Sequence, residues 1–331
     1  MKQSTAAAIV LIIIVFAAAW IGVPAVKNIV SRGGETGYSI PDPGKTDSSV
    51  TVRALIGGEV REMTMDEYLQ GVLRAEMPAS FELEALKAQA VAARTETCYK
   101  MENGPSANHP DADVCDDINC CQAWLSAESA EKNWGKNADE YVAKIATAVR
   151  GTDGMTILYD GDPIFAAFFS SAPGKTQNSG DVWVSQLPYL KSVTSPENDT
   201  EVPNYYSVVT VGADEFKEKL LAEYPDAVFG DDESEWVKNV KTGDSGLVSS
   251  MDVGGVSVSG GKMRTIFDLR SACFSVETEA DSIIFHVTGY GHGVGMSQYG
   301  ANVMAEQGKN YRQILTWYYT DVKIARYTPK K

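Results

Sequence analysis

The sequence predicts an α+β protein: a two-lobed domain with a helical core and a β-rich lobe, tethered to one N-terminal transmembrane helix. Three observations lead there. Residues 6–23 carry no charge and precede a glycine- and proline-rich stretch. Residues 66–101 read as two consecutive helices. From about 203 to 271 the chain is dominated by short β-type runs between glycine turns. A length of 331 residues, 44% of them hydrophobic, suits one large or two medium domains.

Leu11, Ile12, Ile13, Ile14, Val15, Phe16 and Trp20 lie within the uncharged run, which is long enough to span a bilayer. Ala17-Ala18-Ala19 resembles a cleavage site, but the apolar run is long for a signal-peptide core, so an uncleaved anchor at 1–31 is expected. The remainder is then placed outside the cytoplasm. Residues 32–49 contain Gly33, Gly34, Gly37, Pro41, Pro43 and Gly44 and read as a flexible linker. The soluble domain, 50–331, opens with strands at 50–56 and 59–63.

Asp66 to Ala75 places Tyr68, Leu69, Val72 and Leu73 at helical spacing, and Pro78 stops that helix because it has no N–H to donate. Ser80 is the expected N-cap of a second helix whose first turn carries Glu82 and Glu84. Its alanine-rich run, 83–93, predicts burial among close neighbours. Glu76 therefore falls at a helix end against packed surface. Its carboxyl there is either raised in pKa and suited to general acid work, or an ordinary solvated terminus.

An irregular loop follows to about residue 119, then helices at 123–130 and 138–147. A hairpin is expected at 155–159 and 163–169 around Asp160-Gly161. Within the β-rich lobe, strands are expected at 205–211 and across 237–258, with helices at 214–223 and 262–269. A strand at 282–288 feeds a run in which Gly289, Gly291, Gly293 and Gly295 alternate around His292. Such spacing marks tight backbone. Helices at 299–306 and 311–319 close the chain.

The net charge of −15 argues against nucleic acid as a partner, since no basic stripe is present. His109, Cys115 and Cys121 are spaced six and six, with Cys120 beside them. Thiolates and an imidazole in one short loop suit zinc, with a fourth position open to water or to His292. Disulfides such as Cys115–Cys121, or simply buried thiols at Cys98 and Cys273, are the competing readings. There is no His-Glu-x-x-His run for a zinc protease, and Cys98 with His292 makes a weak nucleophile pair. Glu76 as a lone acid/base requires a substrate that supplies its own nucleophile, such as a sugar hydroxyl. Arg94 or Lys191 would then hold acidic or carbonyl groups, and Tyr189 would stack on a ring.

Three blocks resemble the stage II sporulation protein D family and its amidase-enhancer relatives. They are Tyr68 to Val72 with Ala75 to Phe81 and Glu84 to Thr95, His109 to Trp124, and Gly291 to Ala301. The resemblance spans about residues 51–327. It implies a membrane-anchored lytic transglycosylase that cuts denuded peptidoglycan glycan strands between N-acetylmuramic acid and N-acetylglucosamine, leaving 1,6-anhydromuramyl ends. It places the protein in sporulation engulfment, between the mother-cell and forespore membranes, with stage II sporulation proteins M and P as partners. By motif position Glu76 is the catalytic acid/base; Arg94, Tyr189 and Lys191 line the substrate groove; His109, Cys115 and Cys121 are the zinc-type ligands. Ser171-Ala172-Pro173-Gly174-Lys175 departs from the family's usual glycine-rich turn, so Ser170 and Ser171 are not carried over. Two other functions stand beside this one: a non-catalytic, glycan-binding activator of a cell-wall amidase, and a zinc amidase.

Overall fold

The computed structural model describes residues 40–104 and 106–330. The expected membrane span lies outside them, and no helix among the described residues is long and apolar enough to cross a membrane. Helices and sheets are mixed along the chain, as an α+β protein requires.

Where the sequence suggests a linker up to residue 49, Lys45–Ser49 forms a short helix, α1, with Asp47 buried. Thr46 and Asp47 donate their backbone N–H groups to the Asp153 carboxylate at 3.3 and 2.8 Å. Gly and Pro content signals flexibility only where the backbone finds no partner, and here it finds Asp153.

Strands β1 (Thr51–Ile56) and β2 (Glu59–Thr64) form an antiparallel hairpin. Helix α2 (Met65–Glu76) begins at Thr64, whose side chain accepts from Glu67 N–H while Glu67 caps the Thr64 N–H in return. That Thr-x-x-Glu box went unread in the sequence. Met77 is extended and ends the helix one residue before Pro78. Helix α3 (Leu83–Asn103) runs a full ten residues past the alanine-rich segment. In its polar second half the hydroxyls of Thr95 and Thr97 are satisfied by bonding back to the Val91 and Ala93 carbonyls, and Arg94 finds a buried anion. Ser80 is not its N-cap. Glu82 occupies that position without a side-chain cap, and Asn302 accepts the Glu82 N–H at 2.7 Å.

Helix α3 is the axis of the larger hydrophobic cluster, packing against α2, α5 (Ala138–Arg150), α9 (Gln298–Glu306), α10 (Tyr311–Tyr318) and β4 (Met155–Tyr159). The short α4 (Ala127–Trp134) lies beside α5, and a single turn, α6 (Ser179–Val182), follows later in the chain. Strand β4 pairs with β5 (Asp162–Pro163) around the Asp160-Gly161 turn, and with a final strand, β14 (Lys323–Arg326), that the sequence reading missed. The expected long hairpin partner splits: Phe168–Phe169 (β6) pairs in parallel with Met296–Ser297 (β13). Gly295 permits this, since a Cβ there would lie 2.0 Å from the Ala167 carbonyl oxygen and its φ is +81°.

A second cluster is built from β7 (Tyr206–Gly212), α7 (Ala213–Glu223), the β8–β9–β10 sheet (Val237–Thr242, Val248–Val253, Val256–Val258) and α8 (Gly260–Phe267). It continues past residue 271, because β11 (Phe274–Glu279) pairs with β12 (Ser282–Thr288) and β12 with β7. Phe216 stacks on Phe267 at its centre, centroids 4.9 Å apart.

Candidate active site and metal centre

Glu76 ends α2, and the surface around it comes from three separate segments. Ala123 N–H donates to its Oε1 at 2.7 Å. Gln298, at the start of α9, donates its side-chain amide to the Glu76 backbone carbonyl at 3.0 Å and approaches Gln89 Oε1 at 3.4 Å. The side chain is half-buried. Burial pushes its carboxyl up from 4.5 to about 7, and the Ala123 N–H, which favours the anion, only partly opposes this. A carboxyl poised near neutrality is present as donor and as acceptor in comparable amounts.

The loop that supplies Ala123 is also the metal candidate. Cys115 sits in β3 (Val114–Cys115), clamped parallel to β1 opposite Leu55. The ligand atoms of His109, Cys115, Cys120 and Cys121 all lie within 4.8 Å of one another. Cys120 and Cys121 sulfurs are 3.8 Å apart, and each is 3.4 Å from His109 Nε2. A tetrahedral zinc with Zn–S about 2.3 Å and Zn–N about 2.0–2.1 Å requires roughly 3.8 Å between sulfurs and 3.6 Å from sulfur to nitrogen. The donors fit. His109 Nδ1–H donates to the Ala112 carbonyl at 3.0 Å, which leaves Nε2 with its lone pair facing the thiols.

The candidate ligand set thus has four protein donors, one more than the spacing suggests. Cys120 completes it, and neither water nor His292 is needed. All five cysteines are free thiols, so the disulfide alternative fails. His292 packs instead against Trp183 and Phe169, and its Nδ1 accepts the Val294 N–H at 3.1 Å. Burial holds it neutral, down to about 4. Cys98 is buried with its thiol pushed up to about 12, which removes it as a nucleophile.

The loop is fixed to the helices on both sides. Gln122 reaches the Ala93 carbonyl and Thr97 hydroxyl, Lys100 donates to the Cys120 carbonyl at 2.7 Å, and Leu125 N–H donates to the Gly71 carbonyl. Trp124 lies against Gly71, where a Cβ would fall 1.9 Å from its indole nitrogen.

The expected groove residues fare differently. Arg94 does not reach a groove: its side chain is 1% exposed and grips Asp47 at 2.6 Å, with further bonds to the Val149 and Met155 carbonyls. Tyr189 is buried as well; its hydroxyl accepts the Phe165 N–H at 3.2 Å and its ring packs on Tyr159. The ring is packed into the larger hydrophobic cluster, where it is not free to stack on a sugar. Lys191 is exposed, on a segment that pairs with residues 175–178.

Several neighbours escaped the sequence reading. Ala123 acts through its backbone, which no side-chain pattern reveals. Tyr68 is buried with its hydroxyl unpartnered among the described residues. Burial lifts that phenol well above its usual range, and the charges of Cys121, Cys115 and Glu76 add to the effect. Glu96, on α3, is a second acid that burial pushes up, to about 7.

A family model described as "Stage II sporulation protein" matches residues 57–159. The chain is 36% identical over 296 residues to stage II sporulation protein D of Bacillus subtilis, covering 89% of this chain and 82% of that one. It is also 36% identical to stage II sporulation protein D of Bacillus amyloliquefaciens, covering 88% and 83%. An amidase enhancer of Bacillus subtilis is 28% identical over 78% of this chain and 40% of its own length.

Proposed function

Since the chain belongs to the stage II sporulation protein D family, we propose that it is a lytic transglycosylase of peptidoglycan with Glu76 as its single acid/base. The observation that carries this reading is the Glu76 carboxyl itself: half-buried, held near 7, and oriented by one amide donor at 2.7 Å. In its neutral form it protonates the glycosidic oxygen between N-acetylmuramic acid and N-acetylglucosamine as the C1–O bond breaks. The resulting carboxylate then takes the proton from the muramic acid C6 hydroxyl as that oxygen bonds to C1. The product is a 1,6-anhydro sugar, no water is consumed, and Glu76 returns to its starting state. The Ala123 N–H steadies the carboxylate between the two transfers, and Gln298 fixes the end of α2 that carries it.

We take the His109/Cys115/Cys120/Cys121 cluster to hold zinc. Four protein ligands leave no open position, so the metal's part is to clamp the loop that presents Ala123. Anchorage in the cell membrane, with the domain outside the cytoplasm and stage II sporulation proteins M and P as partners in engulfment, completes the proposal. The similarity to an amidase enhancer supports a second reading, in which the chain binds glycan and activates an amidase without cutting.

Mass spectrometry of denuded glycan after incubation with the protein tests the two. Products lighter than the hydrolytic ones by one water, and absent with Glu76→Ala, are expected. Hydrolytic products would demand a second carboxylate, and intact strands that nevertheless bind would favour the activator.

A further inference from the structure

Two arginines near the Gly291–Ala301 motif, like Arg74 and Arg312, lack the carboxylate partner that the other described arginines of this acidic chain hold. The buried Arg94 and half-buried Arg150 guanidinium groups each hold an aspartate, Asp47 and Asp66. Arg264 and Arg270 are half-buried, and among the described residues neither forms an ion pair with a carboxylate. Arg264 uses only Nε, donating to the Leu269 carbonyl at 3.2 Å. Arg270 Nε is buried without a partner. Desolvation of an unpaired cation is costly, and it lowers the pKa of both groups. Asp268, the carboxylate nearest Arg264 by its charge effect, sits exposed in a left-handed helix cap and does not reach it.

The two guanidinium groups share Tyr290 as an electrostatic neighbour. Arg270 lies over the Tyr290 ring, 4.0 Å from its centroid, and its carbonyl accepts the Gly291 N–H. That stacking fixes the plane of the guanidinium and leaves its edge for a bidentate partner. The Arg264 charge is felt at His292 and the Arg270 charge at Tyr299. Tyr299 packs edge-on against Phe81, and the residue before it, Gln298, bonds to Glu76. Tyr290, His292 and Tyr299 are all half-buried, so the surface is polar, aromatic and cationic, and Gln298 joins it to the end of the Glu76 helix.

We propose that Arg264 and Arg270, with Tyr290 and Tyr299, form a carboxylate-binding subsite that engages an acidic group carried by the glycan next to the bond being cut. The proposal rests on the glycan reading above. On a muramic acid residue the carboxylate is either the free lactyl group or, where a stem remains, that of the peptide. The subsite also gives the second hydrophobic cluster a part in recognition, since α8 carries Arg264 and the turn after it carries Arg270.

The test is calorimetric titration of the full chain carrying Glu76→Gln, which does not consume its ligand. Four ligands are compared: an N-acetylglucosamine–N-acetylmuramic acid tetrasaccharide with free lactyl groups, its methyl ester, the same strand bearing a dipeptide on each lactyl group, and chitotetraose. A charge-assisted bidentate contact predicts that a carboxylated strand binds about tenfold or more tighter than the ester. Whichever of the free lactyl and dipeptide strands gains that preference identifies the source of the carboxylate. Arg264→Gln with Arg270→Gln collapses the preference, and Arg264→Lys with Arg270→Lys retains part of it. Equal affinity for acid and ester in the arginine-bearing protein, or a preference that survives the double glutamine variant, overturns the subsite while leaving glycan binding intact. Failure to bind any of the four ligands overturns the glycan reading and the subsite together. The ester comparison needs no arginine variant, so it stands even if those variants fold poorly.

Discussion

Replacing Arg94 with glutamine separates a structural from a substrate-binding role. In the fold its guanidinium is enclosed: Nε and Nη2 grip both oxygens of Asp47 at 2.6–3.1 Å, Nη2 also meets the Val149 carbonyl, and Nη1 the Met155 carbonyl. Arg94→Gln leaves the Asp47 carboxylate buried with one strong partner gone and two carbonyls unsatisfied. Breaking a buried pair from one side costs about 3–5 kcal/mol. For a domain of this size, at roughly 2–4 °C per kcal/mol, the melting temperature falls by roughly 6–20 °C. A compensating pair, Arg94→Met with Asp47→Leu, removes the orphaned charge and recovers much of that loss. Thermal unfolding of the three proteins, with glycan cleavage normalised to the folded fraction, is the assay. Cleavage per folded molecule is expected to survive in the double variant. A melting temperature within a degree or two of the parent, together with lost cleavage, would refute the structural assignment and return Arg94 to the groove.

The remaining predictions concern the acid and the metal. Folding raises the Glu76 pKa from 4.5 to about 7, so the folded chain holds a proton that the unfolded chain releases. That contribution to stability is complete below pH 4.5 and is lost as pH rises through 7. Glu76→Gln should therefore melt progressively higher than the parent as pH increases, while cleavage by the parent falls as pH passes about 7; parallel stability curves would contradict this. Chelation of the four-ligand cluster should lower the melting temperature by an amount equivalent to several kcal/mol, with one zinc per chain by elemental analysis. Cys120→Ser should weaken metal retention and His292→Ala should not. Undiminished affinity in Cys120→Ser would return the site to three ligands.

What the sequence disclosed was the part of the site carried by local pattern. Tyr68, Leu69, Val72 and Leu73 at helical spacing, with Pro78 behind them, are enough to put Glu76 at a helix end, and α2 ends there. The six-and-six spacing of His109, Cys115 and Cys121 marks the cluster, but adjacency made Cys120 look redundant, whereas a tight turn lets neighbouring thiols both face His109. Long-range pairing was hidden. Asp47 looks like one more polar linker residue until Arg94, 47 positions away, is seen to need an anion. Side-chain chemistry and motif position both point Arg94 and Tyr189 to the substrate, but neither encodes burial, which ties both residues to packing. The β11–β12 pair was cut from its cluster because strand pairing with β7 spans some seventy residues that no local period encodes.

The clamp at Asp153 has a mechanical side. Its carboxylate accepts the N–H groups of Thr46 and Asp47 from the front of the domain and pairs with Arg326 from the last strand, while Tyr327 N–H bonds the Gly154 carbonyl next door. The first and last parts of the domain are thus moored at the turn between α5 and β4. Tension applied through the chain ahead of Ile40 would first meet Arg150, which donates to the Pro41 carbonyl at 2.6 Å and pairs with Asp66 of the helix that ends at Glu76, and only then that mooring and Asp47, locked into the middle of α3.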